Sequence, residues 1–488
     1  MQTKKLFLIP AGLLLLVLIT SGCKKFVEIA PPSTQVVTAS VFDNNDDVTS
    51  ALLAIYMRME TNGESWAMSQ NQGLLSDELT SHSTAPTQKE FYTNSMLAIN
   101  NSGPWTHAYN YIYQANALIE GLQNNTDITP AIARQIMGEA KFIRAFWLFY
   151  LTNIYGAIPV VTTTNYTVNE SISRTPQPLV CTQIIQDLTE AVTLLNTNYV
   201  DVTDTASTLD RVRPTKGAAE AMLARAYLYT GKYDSAEAEA TLVINNTNLY
   251  SLCTNLSSLS TQPNGGSNSV FMQNSTEAIW QLYTPQPSAV NTIDAQNFIL
   301  TSAPGTGNDN STTISPELLN SFEVGDLRRS NWIDSIIKSG ITYYFPFKYQ
   351  VHNTGTPLTE CTMVLRLSEQ YLIRSESEAN LNDMTDAAND LNTIRARAGL
   401  APSTILTSSS NLQQADSAIL HERRVELFTE WGHRWFDLNR TGEVNAVMGA
   451  PGNVCHLKGG VWNSDWELYP IPQSEILLDL NLKQNAGY

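Results

Sequence analysis

Residue patterns that could support hydrolysis are incomplete in this sequence. His421 and Glu422 begin a zinc-protease pattern, but Val425 stands where its second histidine is needed, so the metal site lacks a ligand. The nucleophile elbow and the P-loop are also absent from the sequence. We therefore predict no catalytic residue, no metal site and no cofactor. Carboxylate pairs for glycoside hydrolysis meet in space rather than in sequence, and that possibility stays open.

An acidic run at residues 43–47 is the nearest approach to a calcium loop. Val48 stands where such a loop needs glycine, and Ala54 stands where it needs glutamate. Capping of a helix that contains Ile55 is the better interpretation of this run.

The cysteine nearest the N-terminus has its own chemistry. An apolar stretch at residues 6–19 follows two lysines and ends in Thr-Ser-Gly before Cys23. The stretch is shorter than the roughly 20 residues of a membrane-spanning helix and is typical of a secretory signal. Thr-Ser-Gly-Cys resembles the lipobox of bacterial lipoproteins. We expect cleavage after residue 22 and a lipid on Cys23, with residues 23–40 forming a tether.

The bulk composition narrows the classes of partner. The chain has 488 residues, a formal charge of −17 and only 15% charged residues. An acidic chain is a poor partner for nucleic acid or for a bare anionic membrane surface. Cys181, Cys253, Cys361 and Cys455 allow two disulfides in three connectivities. Four buried thiols are the preferred interpretation, because a core of this size does not need disulfides for stability.

Apolar periodicity predicts most of the chain to be helical. A wide apolar stripe predicts a buried helix at residues 134–155, ended by Gly156 and including Trp147 in the core. An alanine-rich helix that ends at Gly231 is followed at once by another, which Asp234 could cap in a capping box with Glu237. Such pairs are typical of tetratricopeptide repeats. A looser copy follows at residues 368–398, and a further helical block at 416–438.

Two long polar regions separate these helices, at residues 61–105 and 262–315. Both are rich in Ser, Thr, Asn, Gly and Pro and contain isolated aromatic residues. Long irregular segments in a compact protein are usually functional or disordered.

Several motifs, taken in order, resemble the SusD/RagB family of surface nutrient-binding lipoproteins. They lie at residues 144–159, 213–218, 422–440, 468–476 and 484–488, together with the lipobox. The resemblance covers almost the whole mature chain. It implies an all-α fold: a scaffold of tetratricopeptide-like helix pairs with long irregular insertions that form the ligand face. We expect an N-terminal region at 41–260 and a C-terminal region at 261–488.

The resemblance also implies a function. The family is anchored to the outer membrane, is not catalytic, and captures oligosaccharides, or peptides in some branches, for a SusC-like TonB-dependent transporter. A peptide-capturing subunit is the alternative within binding. A membrane-anchored glycoside hydrolase and a tetratricopeptide scaffold are the competing classes, although a scaffold would not need such long insertions.

Ligand binding is then expected in the polar insertions. An aromatic ring can cover the apolar face of a sugar while amides and carboxylates bind its hydroxyls. The candidate residues are Trp66, Asp77, Phe91, Tyr92, Asn297 and Phe298. Packing under the loops is an equally open role for each of them. Trp105 and Trp280 are predicted to be core residues, and the charged residues of the 422–440 motif are predicted to form ion pairs between helices.

Overall fold

The structure is a computed structural model that describes residues 38–204, 206–259, 266–284, 290–353, 355, 357–449 and 452–488. Cys23, the signal segment and most of the predicted tether lie outside the described residues. The helices, in chain order, are α1 Asn45–Thr61, α2 Glu64–Leu75, α3 Pro86–Tyr92, α4 Gly103–Leu122, α5 Pro130–Tyr155, α6 Tyr166–Asn169, α7 Gln177–Leu194, α8 Lys216–Tyr229, α9 Tyr233–Asn245, α10 Ile293–Phe298, α11 Pro316–Leu319, α12 Leu327–Asn331, α13 Leu367–Asn380, α14 Met384–Arg397, α15 Leu412–Leu427, α16 His433–Arg440, α17 Val444–Met448, α18 Val454–Leu457 and α19 Gln473–Leu478. Short 3₁₀ turns lie at Thr38–Phe42 and Ser464–Glu467.

The strands are few and short: β1 Leu79–Ser81, β2 Ala278–Leu282, β3 Thr312–Ile314, β4 Ile333–Lys338, β5 Ile341–Pro346 and β6 Thr362–Arg366. They form antiparallel pairs, β1 with β3, β2 with β6 and β4 with β5. The mainly helical fold predicted from the sequence is confirmed.

The long helix α5 lies at the centre of the core. It packs between α4 and α7, and its Phe142 and Phe146 rings meet Trp280 edge-on at 5.1 and 5.4 Å. Trp147 and Trp105 are buried as well, so the predicted core roles are confirmed. The helix ends at Gly156, which has a φ of +72°, as the sequence predicts.

Several helices pack against one another in a continuous series. α8 packs on α9, α9 on α13, and α13 on α14. The two helix pairs predicted at 216–237 and 368–398 are therefore present, while their tetratricopeptide-like character stays a prediction. The predicted capping box at Asp234 is wrong. The N-cap of α9 is Lys232, two residues before Asp234, so Asp234 lies in the first turn and no side-chain hydrogen bond caps the helix.

The helical block predicted at 416–438 consists of two helices. α15 begins earlier, where Asn411 and Gln414 form a reciprocal capping box. The chain then breaks between α15 and α16, where Thr429, Trp431 and Gly432 all have positive φ. A continuous helix cannot contain such residues, because right-handed helical backbone requires negative φ.

The acidic run before α1 has the predicted role. The Asn44 side chain accepts a hydrogen bond from the Asp47 backbone N–H at 2.9 Å and caps the helix. Cys181, Cys253, Cys361 and Cys455 are free thiols; the last three are buried as predicted, whereas Cys181 is only half-buried. Within the described ranges, no helix has the length and apolar character needed to cross a membrane.

Candidate ligand-binding face

The two polar insertions meet at a shared edge. β1, from the first insertion, pairs with β3, from the second, with Leu79 opposite Ile314 and Ser81 opposite Thr312. The pairing continues past the strands, because the His82 N–H donates to the Ser311 carbonyl at 2.8 Å. The Thr84 N–H likewise donates to the Thr306 carbonyl at 2.9 Å.

Side chains reinforce this junction. The Ser311 hydroxyl donates to Gln88 Oε1 at 2.9 Å, and the Ser315 hydroxyl donates to the Asp77 carbonyl at 2.5 Å. The prediction that the insertions are irregular is wrong for much of the first one, which contains α2, β1 and α3. The buried faces of these elements pack on the core, and the polar residues that suggested a loop supply their hydrogen bonds.

The hairpin of β4 and β5 lies beside β3 and adds aromatic rings. The rings of His82 and Tyr343 meet edge-on, with centroids 5.7 Å apart and an angle of 80°. Arg329 lies over the ring of Tyr344 at 4.8 Å. We call the surface formed by residues 80–85, 302–313, Tyr343 and Tyr344 the insertion face.

The chemistry of the insertion face suits a neutral, hydroxyl-rich ligand. The rings of His82 and Tyr343 are half-buried, and Thr84, Thr306 and Asn308 are exposed beside them. Burial lowers the pKa of His82, which favours its neutral imidazole. Half-exposed rings can cover C–H groups, while hydroxyls and amides both donate and accept hydrogen bonds.

The aromatic residues chosen from the sequence lie elsewhere. Phe91 and Phe298 are buried in the core, and Trp66 is half-buried against it. Tyr92 is also half-buried, with the Lys458 ammonium 5.4 Å from its ring centroid. Asn297 is at the edge of burial, and its amide donates to the Ile293 carbonyl of the same helix at 3.0 Å. These placements favour the packing interpretation, and a ligand contact by these residues stays a prediction.

Asp77 is held by two arginines. Arg434 Nε donates to its Oδ1 at 2.8 Å, and Arg424 Nη2 lies 2.9 Å from its Oδ2. Burial opposes ionisation of Asp77, but the charges of Arg434 and Arg424 outweigh it and hold the pKa of Asp77 well below its usual range. Both oxygens of the carboxylate are therefore engaged within the protein.

The charged motif at 422–440 has the predicted structural role. Arg423 pairs with Asp437 at 2.8 Å, and Glu426 lies 3.0 Å from Arg328 and 2.5 Å from Arg366. Burial would raise the pKa of Glu426, but the surrounding arginines, with Arg397 the strongest, hold it well below its usual range. The first pair joins α15 to the next helix, α16, and the other two connect α15 to α12 and to the end of β6, which are distant in sequence.

His82 and Tyr343 were missed in the sequence. A signal for Tyr343 existed, because Ser339-Gly340 separates two runs of strand-forming residues and so indicates a hairpin. Both residues of that turn have positive φ in the structure. Nothing in the sequence placed His82 beside this hairpin.

The fold and the site define a class of protein that is mainly helical and has two insertions forming a polar face. One family model, described as "SusD family", matches residues 327–488, and another, described as "Starch-binding associating with outer membrane", matches residues 25–228. SusD-like protein P2 of Formosa agariphila is 26% identical, over 97% of this chain and 98% of its own length. The chain belongs to the SusD-like family.

Solved structures share the fold. A SusD superfamily protein of Bacteroides vulgatus has a TM-score of 0.75 at 18% identity and covers 91% of this chain and 99% of its own. A structure described as a laminarin binding SusD-like protein has a TM-score of 0.67 at 24% identity, covering 90% and 98%. Surface glycan-binding protein A of Bacteroides fluxus has a TM-score of 0.69 at 21% identity, covering 90% and 98%.

Proposed function

We propose that this protein captures oligosaccharides at the cell surface and binds them at the insertion face. The observation that carries the proposal is the pairing of the two insertions beside the β4–β5 hairpin, which brings the His82 and Tyr343 rings together next to exposed hydroxyls and amides. Residues from both predicted regions, 41–260 and 261–488, contribute to this face. Two structural relatives, one described as laminarin binding and one as glycan binding, support the choice of a carbohydrate.

The binding test uses the soluble mature domain and a glycan and peptide array, followed by calorimetry on the best ligand. We expect Tyr343→Ala to weaken oligosaccharide binding at least about fivefold, taking as a guide the roughly 1–3 kcal/mol that an aromatic side chain contributes when it stacks on a nucleic-acid base. Tyr113→Ala is the matched control, since Tyr113 is exposed on α4, outside the insertion face. Binding of peptides alone would favour the peptide-capturing alternative, and turnover of any oligosaccharide would favour the hydrolase.

We further propose that a lipid on Cys23 anchors the protein to the outer membrane, where it passes ligand, without chemical change, to a SusC-like TonB-dependent transporter. The family-model description that names outer-membrane association supports this location. Capture at a surface is useful only beside a pore, and a lipid would keep the protein next to one.

Anchoring and partnership are tested together with a C-terminal tag and mild detergent extraction. The wild-type protein should lie in the membrane fraction and co-purify a large barrel near equal stoichiometry. Cys23→Ala should move it to the soluble fraction, whereas Cys181→Ala, which removes a different thiol, should not. Membrane attachment of the Cys23→Ala variant would contradict the lipid anchor. A protein that purifies alone in several detergents would contradict the partnership with a transporter.

A further inference from the structure

A cavity lies at the start of the first insertion and shares no residue with the insertion face. It has a volume of about 200 Å³ and lies between the α1–α2 turn, α2 and the first turn of α4. Asn62 and Gly103 are exposed and form its rim, while Gln72, Trp147 and Tyr469 are buried and form its floor.

Two polar atoms of the floor residues lack hydrogen-bond partners among the described residues: Gln72 Oε1 and Trp147 Nε1. Gln72 and Trp147 are only 1% and 2% exposed. Gln72 Nε2 donates to the Tyr469 hydroxyl at 2.6 Å, so turning the amide over would leave its nitrogen without a partner instead. A buried polar group without a partner is destabilising, and a ligand hydroxyl can pair with either atom, because it accepts from an N–H and donates to a carbonyl oxygen.

The charged groups of the cavity are already paired. Glu64 Oε1 lies 2.9 Å from His107 Nδ1 and accepts a hydrogen bond from the Tyr111 hydroxyl at 2.8 Å. The hydrogen bond to Glu64 raises the pKa of His107, because it stabilises the protonated imidazole. No other acid or base except the phenol of Tyr469 lines the cavity in the part of the chain that the structure describes. A neutral ligand therefore fits better than an ion.

The volume of the cavity further limits which neutral ligands fit. The volume is below the roughly 300–1,000 Å³ of sites for drug-sized molecules, yet several times the roughly 30 Å³ that one water molecule takes. The edge of Trp147 and the side chain of Met68 give the cavity an apolar side. We propose that it binds one ring of a neutral sugar, either a free monosaccharide or the end of a chain. The choice of a sugar as the neutral hydroxylated ligand rests on the proposed function.

The indole N–H of Trp147 provides a direct readout. Protein with ¹⁵N-labelled tryptophan is titrated with hexoses, pentoses, N-acetylhexosamines and short oligosaccharides, and the Trp147 resonance is assigned with Trp147→Phe. We expect a saturable downfield shift of this resonance, because the ligand accepts a hydrogen bond from Nε1. A response to free sugars identifies a monosaccharide site, and a response to oligosaccharides alone identifies a chain-end site.

Two glycine variants test the location. A side chain at Gly103 or at Gly307 would meet no described atom within 4 Å of its Cβ, so both positions accept phenylalanine without a clash at that atom. Gly103→Phe should cover the rim and abolish the Trp147 shift, whereas Gly307→Phe, on the insertion face, should leave it intact. Asn71→Trp, at a half-buried lining position, is a second blocking variant if Gly103→Phe disturbs the other indole resonances.

The proposal is overturned if no sugar moves the Trp147 resonance, or if the shift persists in both blocking variants. Its failure is distinguishable from failure of the insertion-face assignment. Tyr343→Ala should leave the Trp147 response unchanged, and Gly103→Phe should leave oligosaccharide binding at the insertion face unchanged.

Discussion

Asp77 illustrates how one residue type can serve two very different roles. In sequence it is an acid in a polar region with aromatic neighbours, which suits a sugar site. In the structure it is 3% exposed and lies between Arg434 and Arg424. A carboxylate in this environment stabilises the arginines beside it, because a buried charge needs a partner.

Removing this carboxylate should therefore lower stability. We expect Asp77→Asn to reduce the free energy of unfolding by about 3–5 kcal/mol, since it leaves two arginines without their counter-charge. Glu190→Ala breaks the more exposed Glu190–Lys141 pair and should cost less than about 1 kcal/mol. Urea denaturation at pH 7 measures both. Unchanged stability with lost oligosaccharide binding would instead make Asp77 a ligand contact.

At the scale of elements, the break between α15 and α16 decides where the charged motif lies. The break turns α16 against α2, so that Arg434 reaches Asp77. Gly432 permits the turn with a φ of +78° and also permits close packing. A Cβ at this position would lie 2.4 Å from Gln72 Cγ and 2.8 Å from Gln72 Cβ.

Gly432→Ala should therefore reduce the free energy of unfolding by more than backbone strain alone would. Gly442→Ala is the matched control, because Gly442 has a φ of +74° but its Cβ would meet no described atom within 4 Å. We expect the control to cost about 1–2 kcal/mol through strain, and Gly432→Ala to cost about 1–3 kcal/mol more through overpacking. Denaturant midpoints of the two variants check this. Equal losses would show that contact with Gln72 is unimportant.

At the scale of the whole molecule, buried polar groups join parts of the chain that are far apart in sequence. Glu60, at the end of α1, accepts hydrogen bonds from the Thr284 and Thr362 hydroxyls at 3.0 and 3.1 Å. These contacts connect the N-terminal scaffold to the second insertion and to β6. Burial raises the pKa of Glu60 to about 7, although the two threonines oppose the shift.

This raised pKa makes stability depend on pH. Folding favours the protonated Glu60, so its contribution is complete below the unfolded pKa of about 4.3 and is lost as pH rises through about 7. Glu60→Gln removes the titration and keeps an acceptor oxygen. Between pH 5 and pH 8, the wild-type protein should lose up to about 3 kcal/mol more unfolding free energy than Glu60→Gln. Urea denaturation at both values is the measurement, with exposed Glu443→Gln as the control. The same loss in Glu60→Gln would assign the dependence to other groups.

The sequence by itself determined the helices and the family. Apolar residues at steps of three and four mark α5 and the pairs α8–α9 and α13–α14, because burial of one helix face is a local, periodic requirement. The charged motif at 422–440 also indicated ion pairs, since charges on half-buried helices need partners.

Only the tertiary structure decided which polar-region residues face solvent. The burial of an isolated aromatic such as Phe91 or Phe298 depends on segments hundreds of residues away, and no local period reveals it. β1 and β3 join through backbone hydrogen bonds, which every residue type except proline can make, so their pairing leaves almost no trace in side-chain identity. The insertion face exists because of that pairing. It could not be predicted from the sequence, because residue types do not indicate which distant segments pair through backbone hydrogen bonds.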